Sequence, residues 1–246
     1  MGLDEERVVG GPRERFVQDG GRTVVHAGPM TEPAFTPALG RFAPVRLYDA
    51  VAALTRERLW RALLVGHAAP RPDDAIVDVG CGTGSLGLLL RHVQPDARIV
   101  GVDPDPDVLA IAARKAGDAG APLEWRVGMG DALPEIIGAG AASLVVSSLV
   151  LHQCPMAMKR AMLASMHAVL RPGGRLAIAD YGLQRTRSMR LAFRLVQVAD
   201  GVEHTQPNAD GVLPRLIAEA GFAGVREVEV VPTLTGSISV YVARRV

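Results

Sequence analysis

Ala75-Ile-Val-Asp-Val-Gly-Cys-Gly-Thr-Gly-Ser-Leu-Gly-Leu-Leu-Leu90 is the stretch that decides the fold of this chain. It begins with a β-rich apolar run over 75–79, turns through glycines at alternate positions and continues as an apolar helix. The next apolar run, Arg98-Ile-Val-Gly-Val-Asp103, ends on an acid. Strand, glycine loop, helix, strand and acid together predict the nucleotide-binding half of an open α/β sheet.

The glycine spacing by itself is compatible with two kinds of nucleotide. Gly82-Thr-Gly-Ser-Leu-Gly87 matches the dinucleotide pattern G-x-G-x-x-G, but Asp78 stands just before the loop and the loop contains no Lys or Arg. A carboxylate there repels a pyrophosphate and attracts an ammonium group such as that of a methionine moiety. Asp103 lies about 20 residues beyond the loop, where a carboxylate can accept hydrogen bonds from a ribose diol. The pattern favours S-adenosylmethionine, with a dinucleotide or an empty glycine turn as the alternatives.

These motifs resemble those of the class I S-adenosylmethionine-dependent methyltransferases. Asp78-Val-Gly-Cys-Gly-Thr-Gly84 matches the family's first motif, and Val102-Asp103 is similar to its second. Gly130-Asp-Ala132 is similar to the family's adenine-contacting segment, and Leu170-Arg-Pro-Gly-Gly-Arg-Leu176 to the turn before its fifth strand. The resemblance covers roughly residues 45–246. It implies an α/β, Rossmann-like, doubly wound sheet of seven strands, mostly parallel with an antiparallel last strand, and helices on both faces.

The resemblance also implies a cofactor site. It implies S-adenosylmethionine as the cofactor, S-adenosylhomocysteine as its product, and no metal. The candidate cofactor-binding residues are Asp78, Gly80, Cys81, Gly82, Gly84, Asp103, Pro104, Gly130, Asp131, Ala132 and Ser147.

Within that family the chain is most similar to the ubiquinone/menaquinone-biosynthesis type. Tyr48-Asp49 and Leu59-Trp-Arg61 resemble the first helix of that group, and Ala220-Gly-Phe222 resembles its C-terminal turn. The segments 147–152 and 200–214 depart from the quinone enzymes. The substrate of that group therefore cannot be transferred to this chain.

The domain organisation follows from the change of pattern along the chain. Residues 1–45 are rich in Gly, Pro and Arg and are predicted to form an N-terminal arm, either a lid or a disordered terminus. Residues 46–246 are predicted to be one methyltransferase domain with a helical insertion over about 183–220. Strands are expected near 75–79, 98–103, 123–127, 143–148, 174–180, 224–231 and 236–244, and helices near 85–93, 106–117 and 156–170.

Composition narrows the class of protein. The chain has 246 residues, 48% of them hydrophobic, without an apolar run of the ~20 residues that span a bilayer. The net charge of +1 gives no excess of positive charge for non-specific nucleic-acid binding. The arginines at 185–194 are best interpreted as a solvated helix face. Two cysteines and a charged N-terminus without a signal-peptide pattern predict a cytoplasmic location. The oligomeric state stays open, with a homodimer among the alternatives.

Candidate catalytic residues lie where the fourth and fifth strands should end. His152 is either a general base or substrate contact, or a hydrogen-bonded structural histidine. Asp180 either orients substrate or acts as a base, or caps a loop. His204 and Glu203 belong to a polar segment, 200–210, that is either a substrate-capping loop or an ordinary loop followed by an Asn208 helix cap.

The resemblance implies methyl transfer to a small-molecule acceptor, an O, C or N nucleophile, by in-line displacement. The alternatives are a methyltransferase that acts on RNA or protein, and a binding protein without catalysis.

Overall fold

In a computed structural model, residues 56–121 and 123–246 are described, together with the backbone of 18–19 and 22–23. The chain divides into two compact units, 1–36 and 37–246. In the first unit, Gln18–Asp19 pairs with Arg22–Thr23 as a short antiparallel ladder. The predicted arm over 1–45 and the pair Tyr48-Asp49 lie outside the described side chains, whereas Leu59-Trp-Arg61 lies in a described helix.

The second unit contains a sheet of seven strands in the order β3-β2-β1-β4-β5-β7-β6. The strands are β1 (Ala75–Val79), β2 (Arg98–Asp103), β3 (Glu124–Val127), β4 (Ala142–Ser148), β5 (Leu170–Tyr181), β6 (Phe222–Thr233) and β7 (Gly236–Arg245). The first five are parallel, and β7 runs antiparallel to both β5 and β6. The predicted fold class is confirmed, including the antiparallel last strand.

Eight α-helices in the same part of the chain flank this sheet. They are α1 (Glu57–Ala68), α2 (Ser85–Val93), α3 (Pro106–Asp118), α4 (Leu133–Ile137), α5 (Met156–Val169), α6 (Arg187–Asp200), α7 (Val202–Ala209) and α8 (Leu213–Glu219). Helices α2, α3 and α5 match the predicted spans to within one residue, whereas the short α4 was not predicted. None of these helices reaches the length and apolarity that a membrane crossing requires.

The two faces of the sheet bury alternate side chains of each strand. On one face, Val77, Val79 and Ile178 pack against α4, α5 and α8. On the other face, Ile76 and Val146 pack against α1, α2 and α6. This alternation is the reason that short apolar runs identify buried parallel strands. The methionine stripe of α5 belongs to the first core, as its helical spacing predicts.

The segment 200–210 is not a loop, which corrects both interpretations of its sequence. Residues 202–209 form α7, and Asn208 lies inside this helix with its side chain buried rather than capping a new one. Gly201, at φ 84°, separates α7 from α6. The polar composition suggested solvent exposure, but Thr205 and Asn208 point inward, where their hydrogen bonds are made within the protein.

Candidate functional site

The glycine loop leaves the carboxyl end of β1 and is hydrogen-bonded to the neighbouring strand. The amides of Gly80 and Cys81 both donate to the carbonyl of Val102, at 2.8 and 3.1 Å. The Gly84 amide donates to the Cys81 carbonyl at 3.0 Å, just before α2 begins. The loop therefore has a defined shape, at the edge where open α/β sheets bind their ligands.

The three glycines of the loop differ in what surrounds them. A Cβ on Gly80 would lie 2.3 Å from Val150 Cγ2, and one on Gly84 would lie 2.5 Å from Trp125 Cη2. A Cβ on Gly82 would meet no atom of residues 56–121 or 123–246 within 4 Å, although its φ of 53° is in the left-handed region. Gly80 and Gly84 thus allow close packing, whereas Gly82 presents bare backbone to open space. This is the place in the loop where a ligand can approach the main chain.

Trp125 supports the loop from the adjacent strands and was missed by the sequence analysis. Its indole fills the space above Gly84 and above Gly101, where a Cβ would lie 2.6 Å from two ring carbons. Gly101 and Trp125 are register partners on β2 and β3. An aromatic residue on one predicted strand and a glycine on its neighbour were the only signal in the sequence.

Asp103 lies against the bare backbone of the loop, as the spacing predicts. Its Oδ2 accepts a hydrogen bond from the Gly82 amide at 2.9 Å, and its Oδ1 accepts one from the Asp105 amide at 3.1 Å. Burial raises the pKa of this carboxyl, and the two amides oppose that effect. A carboxylate has about four acceptor positions, so it keeps the capacity to accept from a ligand hydroxyl. Pro104 lies half-buried between Asp103 and the Asp105 cap of α3.

Asp78 is a buried carboxylate whose two oxygens form no hydrogen bond with the described residues. It lies beneath the first turn of α2, where Gly87 allows close approach. Burial raises its pKa to about 7, while the charge of the Arg61 guanidinium of α1 acts in the opposite direction. A buried carboxylate beneath a ligand loop attracts positive charge to that loop.

The remaining predicted cofactor residues lie at the same edge of the sheet. Cys81 turns its thiol under the loop towards Gly101 and away from the space in front of the loop. Burial raises the pKa of that thiol. Ser147 Oγ donates to the Val79 carbonyl at 2.8 Å, which ties the end of β4 to that of β1. Gly130 packs against Met162 and Val79, whereas Asp131 is exposed and Ala132 caps α4.

Lys115 holds the loop from outside and was not predicted. Its ammonium donates to the Thr83 carbonyl at 3.0 Å, to Thr83 Oγ1 at 3.3 Å and to Ser85 Oγ at 2.8 Å. It is one of only two lysines in the sequence. Because its acceptors include both a carbonyl and hydroxyls on either side of Gly84, it restrains the loop where α2 begins.

His152 lies between two carboxylates beyond the end of β4. Its Nδ1 is 2.8 Å from Asp180 Oδ1, and its Nε2 is 3.3 Å from Asp200 Oδ2. Burial lowers the pKa of this imidazole, but the two carboxylates outweigh burial and raise it to about 9. Both ring nitrogens face a carboxylate, an arrangement that favours the protonated form of the ring. This geometry corresponds to the structural alternative for His152.

Asp180 is fully buried and accepts hydrogen bonds from several directions. Its Oδ2 accepts from the amides of Val150 and Leu151 at 3.1 and 2.7 Å, and its Oδ1 accepts from the Tyr181 amide at 2.7 Å. Together with His152, four donors surround this carboxylate. It caps the short 3₁₀ turn Leu151–Gln153, which again matches the structural alternative.

Lys159, the second lysine, joins that turn to the inserted helices. Its side chain is fully buried, and its three N–H donors lie among four oxygens that are 2.6 to 3.2 Å from Nζ. The four acceptors are the carbonyls of Leu151, His152 and His204, and Asn208 Oδ1. Burial lowers the pKa of this ammonium to about 8, opposed by the Asp180 carboxylate. A lysine within an apolar helix was the missed sequence signal.

His204 enters this network through its backbone. Its carbonyl accepts from Lys159, and its side chain is half-buried, while Glu203 is exposed. The network connects α6 and α7 to the carboxyl ends of β4 and β5. One connection is the contact of His152 with Asp200, and the other is that of Lys159 with Asn208. The structure thus brings His152, Asp180 and the segment 200–210 together, as the topology predicts.

Comparisons with known proteins agree with this arrangement. The family described as "Methyltransferase domain" matches residues 76–174, which contain the glycine loop, Asp103 and Lys159. The chain is 34% identical over 136 residues to demethylmenaquinone methyltransferase of Thermus thermophilus, covering 55% of this chain and 60% of that protein. It is 34% identical over 160 residues to malonyl-[acyl-carrier protein] O-methyltransferase of Methylococcus capsulatus, covering 64% and 54%. The chain thus spans little more than half the length of these curated relatives.

A solved structure shares the fold at low identity. Magnesium protoporphyrin IX methyltransferase of Synechocystis, solved with bound S-adenosylhomocysteine, superposes with a TM-score of 0.60 at 19% identity, covering 84% of this chain and 90% of that one. The family match lies on the part of the sheet that carries the glycine loop, and the superposition extends over most of the domain. Residues 76–174 of this chain therefore match a methyltransferase domain, and the domain has a fold that solved methyltransferases share.

Proposed function

We propose that this chain transfers the methyl group of S-adenosylmethionine to a small-molecule acceptor. The observation that carries the proposal is the bare backbone of Gly82, open to space and flanked by the carboxylates of Asp78 and Asp103. The two carboxylates beside this loop can accept hydrogen bonds from a ribose diol and attract positive charge. They repel the negative charge of a pyrophosphate.

The residues present fit this cofactor. Asp103 would accept from the ribose hydroxyls, and the negative charge of Asp78 beneath the loop would favour the cationic methionine end. Gly130 and Asp131 follow β3 at the edge where the base would lie. When bound, S-adenosylmethionine supplies a methyl group on a positively charged sulfur, which is a good leaving group. Lys115 and Trp125 keep the loop in its binding shape.

On the acceptor side, the proposed role of the buried network is positioning. His152 and Asp180 each have their polar atoms engaged, and Lys159 secures the turn that carries His152 to α7. Correct placement of an acceptor and exclusion of water can supply several kcal/mol of rate enhancement. His204 stays a predicted contact or base. An acceptor that is nucleophilic without help from His152 fits this arrangement best.

The substrate class is proposed from the relatives and from charge. The two relatives named above are methyltransferases with different acceptors, so the acceptor of this chain stays open to O, C or N nucleophiles. The net charge of +1 favours a small molecule over RNA. The two free cysteines are consistent with the proposed cytoplasmic location.

Binding and turnover test the proposal separately. Calorimetry should show S-adenosylmethionine and S-adenosylhomocysteine binding and no binding of NADH. Incubation with methyl-labelled cofactor and a metabolite extract should label small molecules. Cofactor binding without any S-adenosylhomocysteine production would support the non-catalytic alternative, and the absence of cofactor binding at millimolar ligand would refute the proposal.

Asp103→Ala should weaken cofactor binding without unfolding the domain. Loss of a charged hydrogen-bond acceptor costs about 1–3 kcal/mol, which corresponds to an increase in Kd of roughly 5- to 150-fold. Calorimetry measures the change. Asp107→Ala is the matched control, because Asp107 is exposed in the first turn of α3, four residues along the chain. Equal affinities of the two variants would remove Asp103 from the site.

Asp78→Asn should change both the pH dependence of stability and cofactor affinity. The folded protein retains the Asp78 proton up to about pH 7, whereas the unfolded chain releases it near 3.8. This carboxyl therefore makes stability fall as pH rises between those values, and the variant should lack that fall. At pH 8 we expect the variant to be more stable by about 1–3 kcal/mol and to bind cofactor more weakly. Urea unfolding at pH 5 and pH 8 measures the first effect, and parallel curves for the two proteins would contradict it.

A further inference from the structure

The outer face of α6 carries an exposed apolar stripe that the proposed function does not use. Leu191 is 65% exposed, Leu195 66% and Val198 87%, and Val202 at the start of α7 is 58% exposed. We call these four residues the α6 patch. Monomeric proteins seldom expose large apolar side chains in a contiguous stripe without a binding role.

The α6 patch is distinct from the face through which α6 packs on the sheet. Phe193 and Val196 are the buried apolar residues of the helix, and they point into the core. Leu191, Leu195 and Val198 follow one another at spacings of four and three within α6, so they lie along the other side of that helix, and Val202 follows the break at Gly201. The helix therefore has two apolar faces, of which the core uses one.

Arginines outnumber the exposed acids near the α6 patch, among which are Glu203, next to Val202, and Asp210, in a pocket with Arg190 and Arg194. Arg187, Arg190 and Arg194 are exposed on α6, and none of them lies within ion-pair distance of a carboxylate in residues 56–121 or 123–246. Arg185, just before the helix, differs because it pairs with Glu227. The acid of α6, Asp200, turns inward to His152. The surface around the stripe is thus positively charged.

We propose that the α6 patch docks on the surface of an anionic lipid bilayer. Leucine and valine side chains along one side of a helix, with arginines beside them, match a helix that lies in the interface plane. The apolar residues enter the boundary between head groups and acyl chains, and the guanidinium groups meet the lipid phosphates. This inference goes beyond the proposed function and does not depend on methyl transfer.

A second copy of the chain is a poorer occupant of the same surface. A two-fold contact through α6 uses the same surface patch of both copies. It would bring the arginines Arg187, Arg190 and Arg194 of both copies into one interface, and none of the three has an ion-pair partner among the described residues. The charge therefore favours a negatively charged partner surface over the chain itself.

Co-sedimentation of the full chain with vesicles tests the proposal. We expect binding to vesicles of phosphatidylcholine with phosphatidylglycerol, and at least about tenfold weaker binding to phosphatidylcholine alone. Raising the salt from roughly 0.1 to 0.5 M should weaken the binding to anionic vesicles, because salt screens exposed charges.

Matched variants distinguish vesicle binding through the α6 patch from non-specific hydrophobic binding. Leu195→Asp should reduce binding about tenfold or more, whereas Leu234→Asp, in the β6–β7 turn and 67% exposed, should leave it unchanged. Arg194→Gln should weaken binding, and Arg114→Gln on the exposed side of α3 should not. Circular dichroism and cofactor calorimetry on each variant verify that the domain is intact.

Three outcomes would overturn the proposal. The chain fails to sediment with anionic vesicles; the two leucine variants behave alike; or light scattering shows a dimer that Leu195→Asp dissociates, with no vesicle binding by the wild type. The last result would assign the α6 patch to a second copy. Failure of cofactor binding by the wild type would instead contradict the proposed function and leave the vesicle result unaffected.

Discussion

Gly82→Val should abolish cofactor binding while the domain remains folded. A Cβ at this position meets no atom of the described protein within 4 Å, so the substitution fills only the space in front of the loop. The same space is where a ligand reaches the Gly82 backbone beside Asp103. We expect the Kd for S-adenosylmethionine to rise about 100-fold or more, equivalent to roughly 3 kcal/mol. Calorimetry and thermal unfolding measure the two effects independently.

Gly120→Val is the control for backbone strain in that experiment. Gly120 has a φ of 61° against 53° for Gly82, and it likewise has open space around a Cβ, but it lies beyond the end of α3. Placing an L side chain in the left-handed region costs roughly 1–2 kcal/mol at either site. Both variants should therefore lose similar stability, and only Gly82→Val should lose the cofactor. Retention of near wild-type affinity by Gly82→Val would show that the ligand does not lie against this backbone.

Lys159→Met should cause the largest loss of stability among the polar substitutions considered. Methionine is similar in length but cannot donate, so the carbonyls of Leu151, His152 and His204 and the amide oxygen of Asn208 lose a shared donor. Removing one partner from a buried charged network costs about 3–5 kcal/mol. Part of that cost is offset here, because the substitution also removes the buried ammonium charge. We expect a decrease of about 2–4 kcal/mol in the free energy of unfolding, measured in urea.

The same substitution should also separate the two halves of the site. Lys159 connects the His152 turn to α7, so its loss should lower kcat/KM for the acceptor while the Kd of the cofactor changes little. Lys115→Met is the matched variant, because Lys115 restrains the glycine loop through Thr83 and Ser85. It should weaken cofactor binding more than acceptor use. If both variants change both parameters equally, neither lysine acts on one half of the site alone.

Local patterns in the sequence were sufficient for the cofactor half of the molecule. The glycine loop and Asp103 are set by contacts between consecutive strands, and the structure joins them through a hydrogen bond from the Gly82 amide to Asp103. The strand limits of β1 and β2 agree with prediction to the residue. Such features depend on the periodicity of apolar side chains and on the residue types in turns. Both are local properties of the sequence.

The acceptor half could be predicted only in outline. His152 and Asp180 were singled out because the fourth and fifth strands end there, but their roles depend on partners elsewhere in the chain. Asp180 lies 28 residues from His152, and Asn208 lies 49 residues from Lys159. The polar residues of 200–210 suggested a loop. Nothing near them in sequence reveals that the buried Lys159 ammonium donates hydrogen bonds to oxygens of this segment.

The sequence alone determined the alternation of the parallel strands with helices α2, α3 and α5, the position of the glycine loop and the acid that meets it, since side-chain periodicity and turn chemistry act over a few residues. Only the tertiary structure decided that Gly82 is the open glycine of the loop, that Trp125 supports it, and that His152 lies between the carboxylates of Asp180 and Asp200. The reason is that open space, burial and the pKa of a side chain depend on atoms from distant segments, which meet only when the chain has folded.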